Sequence, residues 1–240
     1  MMSKMPIIKR KKSIIPSCDV ATLGRLRELV DQTHSVEGIG AYKVGFGLVI
    51  PYGMKKVVET IRKITDHPII YDHQKAATDI PDTGAKFMKA CKDSGCSAVI
   101  LFPEAGPATE EAWINAAKKE KINAIIGGEM THKGFLESDK GFLKDDMPKR
   151  AYTIAANLGI KDFVVPGNKP EKITEYKSML EAMNVKPALY SPGLITQGGS
   201  ITEGAKAAGS NWHAIIGRAI YQAKDINKAA KQLVKEIRNI

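Results

Sequence analysis

The sequence predicts an α/β fold, a closed (β/α)8 TIM barrel, and two observations carry that expectation. Short apolar runs alternate with helical stretches eight times along the 240 residues. The runs AVILF and DFVV are almost continuously apolar, as parallel strands covered by helices are. A doubly wound open sheet is the structural alternative. Neither an early G-x-G-x-x-G nor a G-x-x-x-x-G-K-[ST] is present to support its usual nucleotide sites. No break in composition divides the chain. Residues 1–240 are therefore expected to form one barrel domain, with residues 1–12 as a short basic lead-in.

The elements come in chain order. Strand one is expected at 13–17 and helix one at 21–32, where Asp19 is placed to cap free amides. Strand two lies within 38–45, followed by a helix at 52–64. Strand three is 68–71, followed by a helix at 81–94 with Pro81 suited to its first turn. Phe87, Met88 and Cys91 give that helix an apolar face. Strand four is 97–102, with a helix at 108–119. Strand five is 123–127, and a polar region, 130–146, separates it from a helix at 148–158. Strand six is 161–165 with a helix at 171–183, and strand seven is 187–190 with a helix at 201–208. Strand eight is 212–216, and a helix at 226–237 carries Ala229, Ala230, Leu233, Val234 and Ile237 at helical spacing. Gly95 and Gly159 each precede a strand where a left-handed helix end is expected.

Composition narrows the function classes. The net charge of +10 favours anionic partners without choosing between nucleic acid and a small phosphorylated substrate. Aromatic content of 6% with no basic–aromatic repeat gives little support for a base-stacking surface. Cys18, Cys91 and Cys96 match neither a disulfide framework nor a zinc site, which makes the cytoplasm the default compartment. No run of eighteen apolar residues exists and the N-terminal stretch lacks the form of a secretory signal, so no membrane association is expected.

Chemistry is expected where the C-terminal ends of the strands converge. Asp19 follows strand one and Lys43 lies on strand two. The segment YDHQKAATDIPDT after strand three sets Lys75 between Asp72 and Asp79. An amine held between carboxylates suits a proton donor beside negative charge aimed at a substrate, and it equally suits an ion pair that closes a loop. Glu104 follows strand four, and GGEMTHKGF follows strand five. There Thr131 can hydrogen bond a polar heterocycle and Met130 can cover its face; a structural turn is an equal reading. SPGLITQGGS and IIGRAI end strands seven and eight. Gly193, Gly198, Gly199 and Gly217 allow close backbone approach and Arg218 offers a fork of donors, so together they suit a phosphate cradle, with plain turns as the alternative; Gln197 can join the cradle or equally cap its loop. The histidines form no metal motif.

These segments together resemble the archaeal-type orotidine 5′-phosphate decarboxylases. The resemblance runs from SCDV through YKVG, DHQKAATDIPDTG, EMTHKG and SPGLITQGG to IIGRA, nearly the whole chain. It implies decarboxylation of orotidine 5′-phosphate to uridine 5′-phosphate without a cofactor or metal. It implies a Lys43–Asp72–Lys75–Asp79 array with Lys75 as proton donor and Asp72 beside the substrate carboxylate. Asp19 and Lys43 would meet the ribose, with Lys43 also orienting Asp72. Met130 and Thr131 would meet the base, and Thr131 stands where a serine is common. Pro192, Gly193, Gln197, Gly198, Gly217 and Arg218 would belong to the phosphate side. Asp79 and Thr83 would be donated across a homodimer interface.

One departure matters. The family pattern is D-x-K-x-x-D, and this chain has D-x-x-K-x-x-x-D. On a regular strand, three steps from Asp72 reverse the face, so convergence needs a bulge or an early exit from the strand. Other readings are a metal-dependent 3-keto sugar-acid phosphate decarboxylase of the same barrel type, a noncatalytic phosphate- or nucleotide-binding barrel, and, more weakly, an RNA-binding surface. No stable nucleic-acid partner is expected.

Overall fold

The computed structural model describes residues 6–73 and 76–238. Eight parallel strands form one sheet in the order β1-β8-β7-β6-β5-β4-β3-β2. They are β1 (Lys12–Pro16), β2 (Tyr42–Gly45), β3 (Ile69–Asp72), β4 (Ala98–Leu101), β5 (Asn123–Gly127), β6 (Asp162–Val164), β7 (Ala188–Ser191) and β8 (Trp212–Ile216). The seam between β1 and β2 closes the barrel through isolated bridges, Ile14 to Ile39 and Ser17 to Lys43. Backbone hydrogen bonds cross it from Ile14 to Gly38, from Gly40 to Ile14 and from Cys18 to Lys43, all at 2.8–2.9 Å. Gly40 permits that approach, because a Cβ there would fall 2.3 Å from Ser13 Oγ.

The helices are α1 (Leu23–Thr33), α2 (Phe46–Tyr52), α3 (Met54–Arg62), α4 (Thr83–Asp93), α5 (Pro107–Lys119), α6 (Met147–Asn157), α7 (Pro170–Ala182), α8 (Ile201–Ala208), α9 (Arg218–Tyr221) and α10 (Ile226–Arg238). The fold class is the expected one, and most elements lie within a few residues of expectation. Among the local expectations that change, three concern helix starts and breaks. The helix after β2 is two helices, broken where Gly53 takes a φ of 77°. Pro81 precedes α4, whose cap is Asp82, instead of opening it. Thr22, not Asp19, caps α1 by accepting from the Arg25 amide at 3.2 Å. Gly95 and Gly159 end their helices with φ of 89° and 77°. In both, the glycine amide and the one after it bond back onto the last turn, at the carbonyls of Lys92 and Cys91, and of Ala156 and Ala155.

Strand alternation divides the apolar residues into two cores. One set, including Ile14, Tyr42, Val44, Ile69, Val99, Phe163 and Trp212, packs outward against the helices. The other, including Ile15, Ala41, Ile70, Ile100, Ile125, Val164, Tyr190 and Ile215, fills the barrel. Ile7 and Ile8 join the inner set from the lead-in, while Lys9, Arg10 and Lys11 stay at the surface. His213 is also buried within: Ser13 Oγ lies 2.9 Å from its Nδ1, and the Tyr190 ring lies 4.8 Å from its own. Among the described residues, no helix is long and apolar enough to cross a membrane.

Candidate active site

The inward parity that fills the barrel also lines its mouth. One or two steps of two beyond the inner core stand Ser17 and Asp19 after β1, Lys43 on β2, Asp72 ending β3 and Glu129 beyond β5. With Ile100, Phe102, Met130, Thr131, Val164, Pro192, Gly193, Gln197, Gly217 and Arg218 they line a cleft of about 320 Å³ at the C-terminal ends of the strands. Ile100, Phe102, Val164, Leu194 and Ile215 give it an apolar wall.

The charged floor is centred on Lys43. Its side chain is 6% exposed, and Nζ lies 3.0 Å from Asp72 Oδ2 and 3.7 Å from Asp19 Oδ1. The Ser17 hydroxyl donates to Asp19 Oδ2 at 2.7 Å. Burial is the largest single influence on Lys43 and favours loss of its proton. The carboxylates of Asp72 and then Asp19 outweigh it, and the amine is held above its ordinary pKa. A protonated Lys43 thus fixes two carboxylates at the cleft. The neighbouring Cys18 thiol is pushed up by burial and by Asp19, which makes it inert as a nucleophile.

The rest of the rim is made of loops. Gly193 and Gly198 have φ of 87° and 88°, and a Cβ on Gly193 would stand 2.6 Å from Thr131 Cγ2. That contact brings the β5 and β7 loops together. Gln197 and Arg218 are exposed at the mouth. Gly217 precedes α9 with a φ of −104°, so its value is space: a Cβ would meet the Tyr221 ring at 3.3 Å.

The structure brings together Asp19, Lys43, Asp72, Met130, Thr131, Pro192, Gly193, Gln197, Gly217 and Arg218. Lys75 lies outside the described residues. Asp79, Thr83 and Gly198 do not line this cleft. Asp79 is exposed: its carboxylate accepts from the Ile80 amide at 2.7 Å, and its carbonyl accepts from Thr109 at 2.8 Å. Glu104 departs from expectation, facing a separate cavity of about 110 Å³ with Glu110 and Arg150. His73 and His132 are exposed; His73 bonds the Tyr71 hydroxyl, on the side away from the cleft.

The spacing of the charged segment finds part of its physical setting here. Because β3 ends at Asp72, the two-residue alternation stops governing the chain at that point. Further on, the Ala76 carbonyl accepts from the Phe102 amide at 2.8 Å, and Ala77 takes a left-handed φ of 69°. Ser17, Glu129 and Tyr221 are cleft residues that sequence reasoning missed. Ser17 and Glu129 share inward parity with Asp19 and Gly127, which is the signal that finds them; Tyr221 on the short α9 has none.

The family model for orotidine 5′-phosphate decarboxylase / HUMPS matches residues 12–233. The orotidine 5′-phosphate decarboxylase of Pyrococcus furiosus is 32% identical over 83% of this chain and 86% of its own length. That of Methanosarcina barkeri is 29% identical over 96% of both. Among solved structures, the Methanocaldococcus jannaschii orotidine 5′-monophosphate decarboxylase complexed with the inhibitor BMP superposes with a TM-score of 0.82 at 26% identity, covering 95% of this chain and 99% of that one. The Pyrococcus horikoshii enzyme gives 0.77 at 26%, covering 95% and 100%. With an inward carboxylate–lysine–carboxylate array in one cleft with glycine-bearing loops, and with matches that run through all eight strands, the chain belongs to the orotidine 5′-phosphate decarboxylase / HUMPS family.

Proposed function

We propose that this protein converts orotidine 5′-phosphate to uridine 5′-phosphate and carbon dioxide, as an enzyme of pyrimidine nucleotide synthesis. The observation that carries the reading is the Asp19–Lys43–Asp72 array sharing one cleft with Gln197 and Arg218. The apolar wall of the cleft suits a pyrimidine ring, and the guanidinium of Arg218 suits a phosphate dianion.

In this reading, Asp19 and Lys43 bind ribose hydroxyls, and Lys43 aims Asp72 at the substrate carboxylate. The bond from C6 to the carboxylate carbon breaks and carbon dioxide leaves. The electron pair stays at C6 and takes a proton from the Lys75 ammonium. Phosphate binding by Gln197, Gly217 and Arg218 supplies energy that holds the base against the charged floor. Thr131, with Met130 beside it, holds the polar edge of the base.

Asp79 and Thr83 stand at the surface end of α4 beside Ile80, which is 59% exposed. We assign them to a second copy's site in a homodimer, where they complete the Asp72–Lys75 charge set. A cytoplasmic setting fits Cys18, Cys91 and Cys96, which are free and buried. The metal-dependent 3-keto sugar-acid decarboxylase reading calls for clustered ligands. Here Lys43 stands between Asp19 and Asp72, and no metal-ligating group of three is present among the described residues.

The test is direct. Purified protein with orotidine 5′-phosphate is expected to release carbon dioxide and uridine 5′-phosphate at the same rate with and without a chelator. Absence of product at saturating substrate overturns the reading, and strong chelator inhibition transfers it to the metal-dependent alternative.

A further inference from the structure

The four residues Gly128–Glu129–Met130–Thr131, which carry the base-contacting side of the cleft, are each held from outside it. The Gly128 amide donates to the Tyr152 hydroxyl at 3.1 Å, and that hydroxyl donates to the Val164 carbonyl at 2.7 Å. The Glu129 carboxylate is almost fully buried; Lys169 Nζ meets it at 2.7 Å, and the Tyr176 hydroxyl donates to its other oxygen. The same Lys169 ammonium donates to the Met130 carbonyl at 3.1 Å. Asn168 Nδ2 donates to the Thr131 carbonyl at 2.9 Å.

Asn168 and Lys169 belong to the turn between β6 and α7, which also reaches the phosphate-side loop. The Gly167 amide donates to the Pro192 carbonyl at 2.8 Å. A Cβ on Gly199 would stand 2.8 Å from the Gly167 carbonyl and 3.1 Å from Asn168 Cα. One turn therefore packs on the loop carrying Gly193 and Gln197 while bonding the segment carrying Thr131. A buried ion pair is a poor stabiliser compared with apolar packing, so its geometry, two adjacent residues fixed by one ammonium, is its distinctive contribution.

We propose that Asn168 and Lys169 are positioning residues for base recognition: they fix the carbonyls of Thr131 and Met130, and so hold the Thr131 hydroxyl at the depth the pyrimidine edge requires. They touch no substrate atoms themselves. The inference rests on the decarboxylase reading, since it takes the cleft ligand to be a pyrimidine nucleotide.

The experiment compares two ligands, uridine 5′-phosphate and ribose 5-phosphate, which share the phosphate and differ in the base. Binding of each is measured calorimetrically on the full chain, on Asn168→Ala, on Lys169→Met, and on the double variant Glu129→Gln with Lys169→Met. The double variant removes the buried charge that Lys169→Met alone leaves unpaired. Loss of one such hydrogen bond is expected to raise the uridine 5′-phosphate Kd about five- to tenfold, with ribose 5-phosphate changed less than about twofold. The KM for orotidine 5′-phosphate should rise in parallel. Equal weakening of both ligands, or no change in either, overturns the clamp. If Lys169→Met does not fold, Asn168→Ala and the double variant decide. A parent chain that binds ribose 5-phosphate but neither binds uridine 5′-phosphate nor turns over orotidine 5′-phosphate overturns the decarboxylase reading, and the clamp with it. A parent that does both leaves the variants to judge the clamp alone.

Discussion

Lys43 concentrates the chemistry of the cleft in one side chain. It is buried, protonated and shared by two carboxylates, so removing its charge withdraws a cation 3.0 Å from the half-buried Asp72. Lys43→Met is expected to lower kcat/KM by about 10²–10³-fold, since it takes a fixed charge out of a preorganised site. It should also lower the melting temperature, because breaking a buried pair from one side costs about 3–5 kcal/mol. Steady-state kinetics and thermal denaturation check the two halves separately. Arg218 is different in kind: it is exposed at the cleft mouth, and its proposed role is contact with phosphate. Arg218→Ala should raise the KM for orotidine 5′-phosphate by roughly 10–100-fold, the worth of a hydrogen bond to a charged group, with the melting temperature unchanged. That both residues reach the cleft was legible in the sequence, because one lies on an apolar strand and the other just follows one. Glu129 was present in the EMTHKG string, yet its burial against Lys169 and Tyr176 joins residues 40 and 47 positions apart. No local pattern announces such a pairing.

At the scale of elements, α5 acts as the support of the Asp79 turn. Thr109 donates to the Asp79 carbonyl at 2.8 Å, and the Trp113 indole donates to the Ile80 carbonyl at 3.2 Å. Gly84 lets the helices meet there, since a Cβ on it would stand 2.6 Å from the Trp113 ring. Combining Thr109→Val with Trp113→Phe removes both hydrogen bonds while keeping an apolar filling. Turnover is expected to fall about tenfold or more, from two lost bonds of about 1 kcal/mol each, while near-native helix content persists by circular dichroism. Boundaries at this scale were less legible. Strand two looked longer in sequence because Gly38–Ile39–Gly40 continues its apolar run, but that stretch crosses to β1 by isolated bridges instead of pairing with β3. Pro81 looked like a helix start; the DIPD turn instead reaches its cap only at Asp82.

For the molecule as a whole, two buried groups set opposite slopes of stability with pH. His213 is held neutral by burial, its pKa lowered to about 3 from 6.5. Its contribution is complete above pH 6.5 and is lost as pH falls toward 3, a loss on the order of 5 kcal/mol. Glu110 runs the other way. Burial first, and the Glu111 charge second, raise it to about 8 from 4.5, and its Oε1 is buried without a hydrogen-bond partner among the described residues. Its contribution is complete below pH 4.5 and is lost as pH rises toward 8. Urea unfolding as a function of pH should therefore show Glu110→Gln gaining on the parent from about pH 5 upward, most at about pH 8 and above. His213→Asn should show a flatter acid limb than the parent. The barrel itself was readable from eight alternations of apolar run and helix. These two groups were not, because burial is a property of the assembled fold.

The barrel is a ring with one weak link. Seven neighbouring strand pairs are joined by continuous ladders, while β1 and β2 meet through two bridges and a few hydrogen bonds. Asp19 and Lys43 stand on either side of that link, and the Cys18 amide bonded to the Lys43 carbonyl is among its last stitches. Partial unzipping there would part the charges of the cleft floor before the remaining strands let go. Inactivation by mild denaturant should therefore precede loss of far-ultraviolet ellipticity, and a bound nucleotide spanning the two strands should act as a clasp that closes the gap between the two midpoints.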